Sequence, residues 1–146
     1  MNALASIERG RYHDLVSVTP DLESPADVVT AWREMVASHA AICAALEHAL
    51  GERHGLGVSD FEVLDRLAEC SEGKCRAQEL AESVHLSQSA LSRLVDRLAK
   101  NGLVERCACD MDRRGIYAVL TAEGQRRHDE AAVTHREILA RLLPAR

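Results

Sequence analysis

The sequence predicts a mainly α-helical domain with one small β-hairpin, and three observations carry that expectation. Apolar residues recur at helical spacing over most of the chain. Two short runs, 103–109 and 116–120, read instead as strands and enclose a charged turn that ends in Gly115. The length of 146 residues, 47% hydrophobic and 28% charged, suits one domain with a real core and argues against a wholly disordered chain.

The elements follow in order. Residues 1–23 hold a short apolar pattern of Ile7, Tyr12, Leu15 and Val18, closed by Pro20. This is an arm or extra helix that cannot form a core alone, so it docks or frays. Ser24 caps the next helix, Pro25 takes its first position, and Asp27 favours its positive end. Val28, Trp32, Met35, Val36, His39, Ile42, Cys43, Leu46 and Leu50 continue it to about residue 51, where Gly51, Gly55 and Gly57 punctuate. Its apolar stripe exceeds what a small domain readily buries, so a partner helix is the natural cover. A helix then opens near Val58, with Ser59 and Glu62 at capping-box spacing and Phe61, Leu64, Leu67 and Ala68 inward. After a turn at 71–74, Cys75 and Arg76 form a short strand. Residues 78–84 form a short helix on Leu80, Ala81 and Val84. His85 and Leu86 make a tight connection, and Ser87 caps a helix to about Lys100 with Leu91, Leu94, Val95 and Leu98 inward. Asn101 and Gly102 stop it. The hairpin follows, with residues 110–115 as its turn. Thr121 caps a final helix to about residue 143, whose apolar positions include Ala131, Ala132, Ile138, Leu139, Leu142 and Leu143.

Composition narrows the function. Aromatics are only 3%, which disfavours a base-stacking platform for single strands. No stretch reaches the ~20 apolar residues that cross a bilayer, and no apolar signal core follows the first charges. A soluble cytoplasmic protein with no membrane partner is the expectation. Five cysteines are an odd count and do not suggest a disulfide framework. The net charge of −5 is unevenly placed. Residues 1–73 hold 5 Arg/Lys and 13 Asp/Glu, residues 74–127 hold 10 and 7, and residues 128–146 hold three of each. The basic middle of an acidic chain suggests an anionic partner there.

Helix, short helix, tight turn, second helix and basic hairpin together read as a winged helix-turn-helix. The apolar face of the second helix anchors it, which leaves Ser87, Gln88, Ser89, Ser92, Arg93 and Arg97 outward at or near its start. Gln pairs bidentately with adenine and Arg with guanine, while Ser reaches base or phosphate. Arg97, one turn beyond Arg93, suits phosphate. Arg113 and Arg114 at the hairpin tip suit the adjacent minor groove. The competing reading of these residues is an exposed helix face and a solvated turn.

From about residue 24 to 143 the chain resembles the MarR family of transcriptional regulators. The matching stretches are LAESVHLSQSALSRLVDRLAKNGLVER and DMDRRGIYAVLTAEG, the second with the wing pattern Asp112, Arg114, Leu120 and Thr121. The resemblance implies a homodimer in which helices 25–51 and 122–143 interleave, with a winged helix-turn-helix at about 58–121. It further implies that each chain reads half of a pseudo-palindromic duplex. Arg114 is then the minor-groove arginine, and Asp112 holds the wing arginines in place. Residues 1–23 resemble the extra interface helix of some branches. The expected function is a sequence-specific DNA-binding regulator, a repressor.

Many members of the family release DNA when a small-molecule effector or an oxidant alters the dimer. Trp32, His39 and Cys43 are candidates for such a pocket, although a stripe at this spacing is more often core. Cys107 and Cys109 fall on one side of a strand, and Cys70 and Cys75 flank the turn before the first strand. Four thiols could gather there for zinc or a redox pair, but the C-x4-C and C-x-C spacings are not usual zinc pairs. No metal and no cofactor is expected. The seven histidines form no tight metal motif. The alternatives are a thiol- or zinc-responsive regulator of the same fold and a winged-helix protein-interaction module. No Gly-rich phosphate loop or nucleophile elbow recommends an enzyme.

Overall fold

A computed structural model of the chain describes residues 24–109 and 112–144. The arm expected at 1–23 lies outside the described residues. The chain divides into two compact units, residues 1–39 and residues 40–146.

The first unit contains the start of helix α1 (Pro25–His54). The expected cap is present: the Ser24 hydroxyl donates to the Asp27 carboxylate at 2.7 Å and accepts the Asp27 N–H at 3.2 Å. Beyond it Val28, Val29, Trp32, Met35 and Val36 are all exposed.

The second unit holds the rest of α1, then α2 (Val58–Glu69), a 3-10 turn (Ser71–Gly73), β1 (Lys74–Arg76), α3 (Ala77–Ser83), α4 (Gln88–Lys100), β2 (Val104–Cys109), β3 (Asp112–Leu120) and α5 (Ala122–Leu142). Its sheet is antiparallel in the order β1-β3-β2. The core joins Leu50 of α1, Phe61, Leu64 and Leu67 of α2, Leu80 of α3 and the apolar face of α4.

Several helix ends differ from expectation. Gly51 lies inside α1, and the stop is Gly55 at φ +63°, whose N–H bonds to the Gly51 carbonyl at 3.0 Å. This is a left-handed cap that glycine adopts without penalty. The capping residue of α2 is Gly57 rather than Ser59, and Asp60 rather than Glu62 reaches back to the Gly57 N–H at 2.8 Å. Glu47 of α1 accepts the Val58 N–H at 2.9 Å, so two carboxylates serve the positive end of α2. The end of α4 follows expectation: Gly102 at φ +74° bonds Ala99 and Leu103 bonds Leu98, the paired bonds of a Schellman motif.

The hairpin departs most. Residues 112–115 belong to β3 rather than to the turn. Cys109 pairs with Asp112 while Ala108 pairs with Ile116. The register shifts between them and leaves Arg113, Arg114 and Gly115 with no Cα partner on β2. An irregularity of this kind re-aims residues at the end of a ribbon. Of the apolar positions of α5 and its end, Leu142 and Leu143 are exposed.

Candidate nucleic-acid interface

The turn before α4 requires His85 at φ +56°, and Ser87 then caps the helix by accepting the Ala90 N–H at 3.1 Å. Leu91, Leu94, Val95 and Leu98 are each no more than 5% exposed. This burial fixes the helix rotation, and Ser87, Gln88, Ser89, Ser92, Arg93 and Arg97 are all exposed on the other side. The six expected contact residues therefore share one face. Some already have partners. The Ser87 and Ser89 hydroxyls lie 3.3 Å apart. Arg97 pairs with the buried carboxylate of Asp60, whose other oxygen serves the Gly57 amide. Asp60 thus ties the last turn of α4 to the start of α2, a role the sequence reading did not assign.

Arg106 on β2 was also missed. Its Nη2 donates to the carbonyl and hydroxyl of Ser92 at 2.8 and 2.9 Å, and its Nε lies 2.9 Å from Asp96. A guanidinium spanning three oxygens holds α4 against the wing sheet with a fixed fork. The available signal was only a charged residue at an outward strand position, which ordinarily means solvent. Between α4 and the sheet lies a cleft of about 350 Å³, walled by Gln88, Ser92, Val95, Arg106, Ile116 and Tyr117. Lys74 covers the Tyr117 ring at 4.8 Å. Asp112, Arg113 and Arg114 are the first three residues of β3.

Of the four thiols considered for a gathering, Cys75 and Cys107 are set apart by the sheet. Cys75 and Arg106 both sit opposite Ala118, so they share a face of the sheet, and Cys107 is set on the other. Among the described residues no group of three His, Cys, Asp or Glu has the arrangement of a metal site. Trp32 and His39 are exposed on α1 and Cys43 is half-buried, and none of the three walls the cleft beside α4.

The histidines that looked scattered are in part structural. His128 of α5 is buried, with Nε2 2.7 Å from Asp65 and Nδ1 3.0 Å from Asp129. His135 stacks on Phe61 at 4.4 Å between centroids. Burial holds the His135 imidazole below its ordinary value of 6.5, against the opposing pull of Glu62 and Asp65.

A helical body with a two-faced α4 braced by a β-ribbon defines a winged-helix protein. The MarR family profile matches residues 57–116. The solved structure of AbsC, a MarR family transcriptional regulator from Streptomyces coelicolor, is 31% identical with a TM-score of 0.77, covering 82% of this chain and 80% of that one. Sco3205, another such regulator from Streptomyces coelicolor, solved in complex with DNA, is 28% identical at a TM-score of 0.77, covering 86% of this chain and 78% of that one. The HTH-type transcriptional repressor MdtR of Bacillus subtilis is 32% identical over 92 residues, 63% of this chain and 58% of that protein. The match thus spans just over half of that relative. This chain belongs to the MarR family of transcriptional regulators.

Proposed function

We propose that this chain is a repressor that binds a pseudo-palindromic DNA duplex as a homodimer, with α4 in the major groove and Arg114 in the minor groove. The carrying observation is the single polar face of α4, which Asp60 and Arg106 brace from either side. A pre-set face with Gln88, Ser89, Ser92 and Arg93 at its leading end has the donors and acceptors that base edges require. That Sco3205 is solved in complex with DNA and that MdtR is named a repressor support the reading. The dimer is supported by apolar side chains left exposed on α1 (Val28, Trp32, Met35) and on α5 (Val133, Leu142). Large apolar side chains exposed in number on a lone chain are suited to cover by a partner.

The experiment is selection of the full chain against a pool of random duplexes, followed by sedimentation of the complex. The expected result is an enriched inverted repeat that binds two chains. Failure to enrich any sequence, together with tight capture of a protein partner, would favour the interaction-module reading.

A further inference from the structure

We propose that Arg106 determines specificity at one base pair of each half-site, by making the Ser92 hydroxyl a hydrogen-bond donor that selects a keto base, guanine or thymine. The inference rests on the reading of α4 as the helix in the major groove and names what one of its side chains reads there. Ser92 lies in the second turn of α4, beside Arg93, and is exposed. From β2, the Arg106 Nη2 donates to the Ser92 hydroxyl at 2.9 Å and to the Ser92 carbonyl at 2.8 Å. Its Nε lies 2.9 Å from Asp96, one helical turn further along α4. The guanidinium is thus fixed at three points on the helix whose hydroxyl it meets.

A serine hydroxyl ordinarily turns to suit its partner, donating to one and accepting from another. A guanidinium carries only donors, so the direction of this bond is settled and Ser92 Oγ accepts. One lone pair is taken, and the hydroxyl proton remains to donate to a further partner. The cation beside the oxygen adds to this bias. It polarises the O–H, which strengthens it as a donor, and it repels the partial positive charge of a second N–H approaching the remaining lone pair. Ser89 is under no such constraint, since its contact with the Ser87 hydroxyl at 3.3 Å can run either way. A donor at this place divides the bases in two. In the major groove guanine O6 and thymine O4 accept, whereas adenine N6 and cytosine N4 donate at the corresponding position. A donating Ser92 matches the first two and opposes a donor with a donor in the others. A hydroxyl free to turn would accept from adenine or cytosine as readily, so the choice belongs to Arg106 rather than to Ser92 alone.

The test varies the duplex enriched by the full parent chain one base pair at a time. Affinity for each version is measured with the parent, Ser92→Ala, Arg106→Gln and Arg106→Met, every variant shown folded by circular dichroism. Ser92→Ala is expected to flatten the preference at one position of each half-site. In the parent that position is guanine or thymine, favoured about fivefold over adenine or cytosine. Both Arg106 variants are expected to cut this ratio to about twofold or less while preferences at the other positions persist. Glutamine can donate or accept and methionine can do neither, so neither dictates the direction of the hydroxyl. If Arg106 only braced the helix, its variants would weaken every duplex alike and leave the ratio in place, which would overturn the proposal. A parent that prefers adenine or cytosine where Ser92→Ala flattens overturns it without any Arg106 variant. An enriched duplex at which Ser92→Ala flattens no position overturns it too, and leaves the DNA-binding reading standing. Enrichment of no duplex would instead overturn that reading, and this inference with it.

Discussion

Gly124 sits in the first turn of α5, where its N–H is capped by the Thr121 hydroxyl at 2.9 Å. A Cβ at this position would lie 2.0 Å from the Leu103 carbonyl oxygen and 2.8 Å from Leu120 Cδ1. The first of these atoms is backbone and has no rotamer to escape into. Ala for Gly in a helix gains about 1 kcal/mol of propensity. Overpacking against fixed backbone costs about 3 kcal/mol and wins. Gly124→Ala is expected to lower the urea midpoint by a net loss of about 2 kcal/mol, a large share of a domain's stability. An unchanged midpoint would show that α5 and the β2 entry move apart freely. The sequence carries no mark of this contact, because the clash depends on Leu103 and Gly124, which are distant in the chain. Ser87, by contrast, was legible as a cap, since a cap is written within four neighbouring residues.

At the scale of elements, helices with strong apolar periodicity were read to within a few residues, and α4 is the clearest case. Leu91, Leu94, Val95 and Leu98 fix its rotation by burial alone, so its exposed face was predictable in full. What holds that face in place was not. Arg106 and Asp60 reach it from β2 and α2, and no local pattern announces a long-range ion pair. The wing strand was misplaced for a related reason: its pairing skips residues 113–115, and a break in register is invisible to alternation counting. The packing of α2 on α5 leads to a pH prediction. His135, stacked on Phe61, has a folded pKa depressed by burial, so the unfolded chain takes up the proton first. Its contribution to stability is present above about 6.5 and is lost as pH falls through the lower folded value. The chain's melting temperature is expected to fall on acidification below 6.5, and His135→Phe is expected to reduce that slope. A parent slope that the variant leaves unchanged would place the sensitivity elsewhere.

For the whole molecule, the net charge of −5 conceals a division of labour. The acidic excess lies in residues 1–73, while 74–127, which hold α4 and the wing, are net basic. If 74–127 meets DNA as proposed, a net-basic reading segment in a net-acidic chain favours weak non-specific binding. Val28, Trp32 and Met35 of α1 and Val133 and Leu142 of α5 are exposed, and the proposed homodimer rests on them. The measurement that bears most directly on this account is the affinity of the full chain for its selected duplex across a range of salt. The account predicts a Kd on the order of nanomolar that weakens steeply and log-linearly with salt. Arg114→Ala, still dimeric, should lose about tenfold or more in affinity at every salt concentration. Salt-insensitive binding, or an Arg114→Ala chain that holds the duplex as tightly as the parent, would contradict it.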